Sequence, residues 1–373
     1  MGFSDFHGNA ETVRRLREMM ARDHFPHAVI LTGPRGSGKY TLAQMVAKAM
    51  NCQNRPQKGG LFGGAEDSQE LPDFCGVCAN CTRIGEADHL EQRCAEAVEA
   101  RESLRESDKR ETRLLIQTHP DVMVIPPDPP QMMIKVDQVR KVIGGIYYRP
   151  GEGNHRVYIF SDSAFMKEAA NALLKVLEEP PEFATIFLLA ENSSGLFPTI
   201  RSRCITLQLA PLPVEEVENY LAHRPEWTAK QRALVARLSG GALGRARTFD
   251  LNGYTAARTD ALTLLKSALG ESDHSALFRA TESYRAGAEG KEKTDRLIET
   301  VYSLLEDMLF IKSSTTELVR NIDVRGEIEK MANAVDFQWI ATASERIGEV
   351  QAGMRRNLLR SLSLDAFATS LEK

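Results

Sequence analysis

Residues 27–44, HAVILTGPRGSGKYTLAQ, join a short continuous apolar run to a glycine-rich turn, a lysine and a segment of helical spacing. Few chain geometries accept that order. A buried strand that feeds a tight turn and then a helix aims successive backbone amides at one spot, where the helix dipole also favours an anion. Gly33, Gly36 and Gly38 allow the bend, and Lys39 supplies a point charge for terminal phosphates. The segment therefore predicts an α/β phosphate-loop module.

The next position should hold Ser or Thr to ligate magnesium, and it holds Tyr40, whose phenol is too bulky and too distant to substitute. Thr41 comes one residue late, which on a helix is ~100° around the axis. A second magnesium ligand is expected at the end of a later buried strand, where nucleotide hydrolases place an aspartate followed by a group that orients water. In RVYIFSDS, Ser161 occupies that aspartate position and Asp162 follows it. Phosphoryl transfer needs the metal to neutralise developing charge. The two defects predict a nucleotide fold without turnover, no functional magnesium site, and ATP or ADP binding that is weak or absent. The alternative is an ATPase in which Thr41 and Asp162 serve as substitute ligands.

At 373 residues the chain exceeds what one hydrophobic core organises. Helix, strand, loop and helix fill the first fifty or so residues. From Cys52 to about residue 118 the order breaks into a Gly-rich loop, a cysteine cluster and a heavily charged segment, which reads as an insertion. Alternation then resumes with DVMVIPP as a strand, KVDQVRKVIGGIYY as a helix, RVYIF as a strand, KEAANALLKVLEE as a helix and ATIFLLA as a strand. A parallel sheet with flanking helices fits. After Pro213 only helical patterns remain. The expected division is 1–211 with the insertion, a small helical domain over 212–252, and an all-helical domain over 253–373.

A hydrophobic fraction of 42%, a charged fraction of 26% and a formal charge of −4 describe an ordinary globular chain. No apolar run approaches the ~20 residues of a membrane span, and the N-terminus lacks a secretory apolar core, so a cytoplasmic location is expected. The acidic balance argues against a dedicated high-affinity nucleic-acid binder, while the 47 Lys and Arg still permit a local basic face.

The six cysteines are then expected to be reduced. Cys75, Cys78 and Cys81 in CGVCANC, with Cys52 upstream, offer four thiolates, the natural donor set for tetrahedral zinc. Cys94 or His89 could replace Cys52 as fourth ligand. An iron–sulfur cluster, and with it a redox protein, is the rival reading, although the downstream Cys-Pro of such motifs is missing. Four protein ligands leave no open position, so the metal would be structural.

In KEAANALLKVLEEPP, Ala170, Leu173, Leu174 and Leu177 share one helical face, which is core, and Pro180-Pro181 ends the helix. Glu178 and Glu179 lie at its C-terminus, where the macrodipole disfavours negative charge by ~0.3–1 kcal/mol each. Such a breach of a local rule points to a contact as readily as to two solvated acids.

AANALLKVLEEPPEFATIFLLA followed by LFPTIRSRC, with HPD at 119–121, GEGNHRVYIFSDSAF and LSGGALGRA, resembles the AAA+ clamp-loader family of bacterial DNA replication over residues 7 to about 250. The resemblance implies an AAA+ module, a lid over 212–252 and a collar over 253–373. Through the collar, five subunits would form an open ring around primer-template DNA and load the sliding clamp. It implies ATPase subunits and a clamp-opening subunit as partners, contact with the clamp only indirectly, no membrane, and a catalytically silent role. The family's Ser-Arg-Cys arginine maps to Arg203, an arginine finger offered in trans to a neighbour's nucleotide, while Arg201 precedes it and Cys204 is packing. Arg245 in GALGR matches the lid arginine that senses nucleotide. Family members carry zinc on one cysteine ahead of three. An ATP-hydrolysing motor subunit is the nearest rival, and it should have an intact Ser or Thr after Lys39.

Overall fold

The computed structural model describes residues 2–22, 25–54, 71–224, 226–270, 274–284, 287–354 and 359–371. The chain divides into two compact units, Met1–Leu212 with Ala242–Arg245, and Pro213–Gly241 with Ala246–Lys373. The first unit holds α1 (Ala10–Ala21), β1 (Ala28–Thr32), α2 (Lys39–Asn51), α3 (Ala79–Gly85), α4 (Leu90–Glu102), α5 (Glu106–Glu111), β2 (Ile116–His119), β3 (Val122–Ile125), α6 (Val136–Ile146), β4 (Arg156–Phe160), α7 (Lys167–Glu178), β5 (Ala184–Ala190), α8 (Pro198–Arg201) and β6 (Ile205–Gln208).

Its six strands run in the order β2-β3-β4-β5-β1-β6. β1 lies parallel to both β5 and β6, with Ile30 opposite Leu188 and Thr206. Successive residues of the central strands enter two different cores. Val29, Leu31, Val157, Ile159, Phe187 and Leu189 pack with α1, α2 and α3. Ala28, Ile30, Tyr158, Phe160, Ile186 and Leu188 pack with α6 and α7. Both faces are covered, which is why these strands read as continuous apolar runs.

Two departures from the sequence reading concern the region before β3. The sheet is mixed, because β2 pairs antiparallel with β3. It is an edge strand of four residues, IQTH, too short and polar to announce itself. The charged segment of the insertion, to which the sequence reading assigns no secondary structure, forms α4 and α5.

The second unit is helical: α9 (Val214–Leu221), α10 (Ala229–Leu238), part of α11 (Leu243–Arg247), α12 (Leu251–Ala268), α13 (His274–Glu282), α14 (Gly287–Lys312), α15 (Arg325–Ala334), α16 (Phe337–Met354) and α17 (Arg360–Ser370). α10 starts on a reciprocal cap in which Thr228 Oγ1 accepts from the Gln231 amide and Gln231 Oε1 accepts from the Thr228 amide. Leu265, Leu277, Ile298, Leu304, Ile340 and Leu364 belong to one core shared by the helices from α12 onward. Asp307, fully buried, accepts from the Arg320 and Asn321 amides at 2.8 and 2.9 Å and fixes the loop before α15.

Candidate functional site

β1 delivers the chain into the phosphate loop, and α2 begins directly after Gly38. The loop is packed from outside as well as bent. Gly36 has φ +81°, and a Cβ there would lie 2.7 Å from the Arg245 amide nitrogen, so only glycine fits. The Gly244 amide donates to the Gly36 carbonyl at 2.8 Å. Arg245 therefore meets the loop through its backbone, and its side chain is exposed.

Lys39 is turned onto its own loop. Its ammonium donates to the carbonyls of Gly33 and Pro34, each at 2.7 Å. Burial lowers its pKa, and the nearby carboxylates of Glu191 and Asp162 act against that shift. Glu191 escaped the sequence reading. It follows β5, its carbonyl accepts from the Gly33 amide at 3.1 Å, and its charge acts on the same ammonium that would meet phosphate. Two carboxylates near the cradle repel an anion.

The magnesium positions are disposed as follows. Tyr40 points toward the segment after α3, donating its hydroxyl to the Ala87 carbonyl at 2.6 Å and accepting from Gln44 Nε2 at 2.7 Å. Burial holds its pKa above the usual phenol value. Thr41 is exposed on α2. Ser161 follows β4 half-buried, with its amide donating to the Ile125 carbonyl at 3.1 Å. Asp162 is exposed and its Oδ1 accepts from the Ala164 amide at 2.8 Å, a local turn.

The sulfurs of Cys52, Cys75, Cys78 and Cys81 all lie within 4.8 Å of one another. Cys52 and Cys78 are 4.0 Å apart. A zinc ion with Zn–S bonds of about 2.3 Å needs tetrahedral sulfurs about 3.8 Å apart, close to this spacing. An iron–sulfur cluster interposes several atoms and spreads its thiolates further. Each ligand is fixed by a distinct element: Cys52 ends α2, Cys75 and Cys78 flank a turn at Gly76 (φ +73°), and Cys81 sits in the first turn of α3. Amides turn toward sulfur, from Cys75 to Cys52 at 3.4 Å and from Cys78 to Cys75 at 3.3 Å, the outer hydrogen bonds that support thiolate ligands. Burial opposes ionisation of Cys78, yet amides and neighbouring thiols outweigh it and bring its pKa down to about 6. Among the described residues no other group of three or more His, Cys, Asp or Glu forms such a cluster. Cys94 packs half-buried against the core and His89 is exposed at the start of α4.

Arg203 follows α8. Its Nη2 donates to Glu178 Oε1 at 2.5 Å, and its Nη1 to the Thr199 carbonyl at 2.9 Å and Ser202 Oγ at 3.3 Å. Glu178 is the penultimate acid of LEEPP, and Glu179 caps α7 with an exposed side chain. Arg201 is half-buried at the end of α8. Cys204 packs against the α6–α7 core, where burial pushes its thiol up to about 12.

HPD and GEGNH meet in one buried junction. The Asp121 carboxylate accepts from the amides of Gly151, Glu152 and Gly153 at 2.8, 2.9 and 2.7 Å. Burial alone would raise its pKa, and those amides, aided by Arg156, hold it below the ordinary carboxylate value. His119 Nδ1 accepts from the Asp121 amide at 3.1 Å, which requires a neutral ring, and burial lowers its pKa. Asn51, next to the metal-ligand candidate Cys52, accepts from the Asn154 and His155 amides, each at 3.0 Å. These motifs are joints that hold the GEGNH loop against α2.

The fold and this site define a phosphate-loop-like α/β module whose glycine-rich turn is braced by the chain's own groups, with a four-cysteine cluster at the far end of the loop's helix. The family described as DNA polymerase III, delta subunit, matches residues 8–213, more than half of the chain, and the chain belongs to that family. It is 30% identical over 227 residues to the DNA polymerase III subunit delta' of Pseudomonas aeruginosa, covering 60% of this chain and 56% of that one. It is 32% identical over 219 residues to the subunit delta' of Escherichia coli strain K12, covering 58% of this chain and 62% of the relative. The subunit tau of the same strain is 26% identical over 251 residues, 65% of this chain and 31% of tau. The matched regions thus span about half the length of the curated delta' relatives.

Proposed function

We propose that the chain is the non-hydrolysing, delta'-type subunit of a DNA polymerase III clamp loader. In that role it is an AAA+ scaffold in an assembly of five subunits, bound to tau- or gamma-type ATPases and a delta-type subunit in the cytoplasm. Residues 212–252 act as a lid and 253–373 as the collar through which the ring assembles. Arg203 acts in trans on the nucleotide of a neighbouring ATPase, and the assembly places the sliding clamp on primer-template DNA. DNA is met through phosphates at helix N-termini and scattered basic residues, without sequence readout. Cys52, Cys75, Cys78 and Cys81 hold a structural zinc.

The observation that carries this reading is Tyr40. The position that should present a hydroxyl to magnesium presents one to Ala87 instead. Lys39 bonded to its own loop, an exposed Thr41 and the carboxylate of Glu191 support it. The test is hydrolysis of ATP by the purified chain in magnesium buffer. No turnover above the blank is expected. Brisk turnover, lost in Lys39→Ala, would move the chain to the motor reading, in which Thr41 and Asp162 ligate the metal.

A further inference from the structure

We propose that Glu178 is a positioning residue for Arg203, holding the guanidinium in the attitude it needs to meet a neighbour's phosphate. The inference rests on the trans role of Arg203 and adds what sets that residue's geometry.

An arginine that works on another subunit must reach out of its own while keeping one orientation, and a free arginine side chain does neither cheaply. Here three anchors hold it: Glu178 Oε1, the Thr199 carbonyl and Ser202 Oγ. A guanidinium has five N–H donors, so donors remain for a phosphate oxygen. The pair is also reachable, with side-chain exposures of 34% for Arg203 and 51% for Glu178. Of the anchors, Glu178 alone is charged, and its bond is the shortest.

The location of Glu178 makes the same point. At the C-terminal end of α7 the helix dipole disfavours a carboxylate. Pro180 and Pro181 end the helix just beyond it, so the acid has a fixed place beside α8. A local cost is thus accepted where a carboxylate meets Arg203. The contact links two sequence segments, LEEPP and SRC, that are 25 residues apart.

The experiment uses the complete complex, reconstituted with its own ATPase and delta-type subunits, with the other ATPase sites silenced through their phosphate-loop lysines. Steady-state hydrolysis at the remaining site is measured for Glu178→Ala, Glu178→Gln, Arg203→Ala and the double variant, with assembly checked by gel filtration. Glu178→Ala should lower kcat about tenfold or more with KM for ATP little changed, because the contact matters in the transition state. Glu178→Gln, which keeps an acceptor oxygen, should recover part of the loss. Arg203→Ala should be far more severe, by about a thousandfold, and adding Glu178→Ala to it should change nothing further. If Arg203→Ala leaves the rate intact, the trans role itself fails. If Arg203→Ala abolishes hydrolysis while Glu178→Ala leaves kcat unchanged, raises it, or lowers it further in the Arg203→Ala background, the positioning role alone is overturned.

Discussion

The Tyr40 hydroxyl donates to the Ala87 carbonyl at 2.6 Å, linking the residue after the phosphate-loop lysine to the segment that leaves α3. One turn further along α2, Gln44 donates to the same phenol, and Lys48 pairs with Asp88 at 2.5 Å. α2 is thereby fastened to the cysteine-bearing segment along its length. Tyr40→Phe should lower the unfolding free energy by ~1–2 kcal/mol, the cost of leaving the carbonyl of the buried Ala87 without its donor. Tyr40→Ser restores a small hydroxyl after Lys39 but empties the ring's site, and should cost ~3 kcal/mol or more. Denaturant unfolding measures both, and an ATPase assay on Tyr40→Ser should find no turnover.

Asp121→Ala should release the GEGNH loop. Three amides lose a charged acceptor, and two of the three residues, Gly151 and Glu152, are exposed enough for water to compensate partly. A loss of ~2–3 kcal/mol is expected. Asp121→Asn, which keeps one acceptor oxygen, should lose less. Chemical denaturation of the two variants side by side checks the order.

Acid should weaken this junction in two stages. The pKa values of His119 and Asp121 are both depressed in the folded chain, from ordinary values of 6.5 and 3.8. A depressed group contributes stability that is present above its ordinary value and is lost as pH falls through the folded value. Stability should therefore start to fall as pH drops below 6.5, through His119, and fall again below 3.8, through Asp121. His119→Gln should remove the first stage and leave the second, read from thermal midpoints between pH 8 and the acid limit.

Zinc analysis of the purified chain should give about one ion per molecule. Cys52→Ser, Cys78→Ser and Cys81→Ser should each reduce metal retention and the thermal midpoint, whereas Cys94→Ser should retain the ion. Stripping the metal with a thiol reagent should loosen the C-terminal turn of α2, where Cys52 sits, as faster amide exchange at residues 49–52.

Much of the first unit was legible because its signals are local. β1, β4 and β5 are buried on both faces, so each is an unbroken apolar run, and α7 shows its core face at helical spacing before a double proline. β2 was not legible, since of its four residues Gln117 is exposed and Thr118 only half-buried, which leaves no apolar run. α4 has no fully buried residue, so its sequence carries charge rather than periodicity. At the site, the glycines, Lys39 and the cysteine trio declared themselves by spacing. The choice among Cys52, Cys94 and His89 depended on how α2 and the segment before α3 close on each other, which spacing does not encode. Glu191, the Ala87 acceptor of Tyr40 and the Arg203 partner of Glu178 stayed hidden for the same reason: each contact is made across the fold.

The Tyr40–Ala87 contact also bears on what an exchange at this position would do. A serine there would leave a hole beneath Ala87 and a loosened helix, whatever its hydroxyl offered to a metal. Ser161 would still be neutral, and the charge of Glu191 would still act on Lys39. A small hydroxyl at position 40 thus comes only with a weakened tie between α2 and the segment after α3, so packing makes the phenol hard to replace by itself.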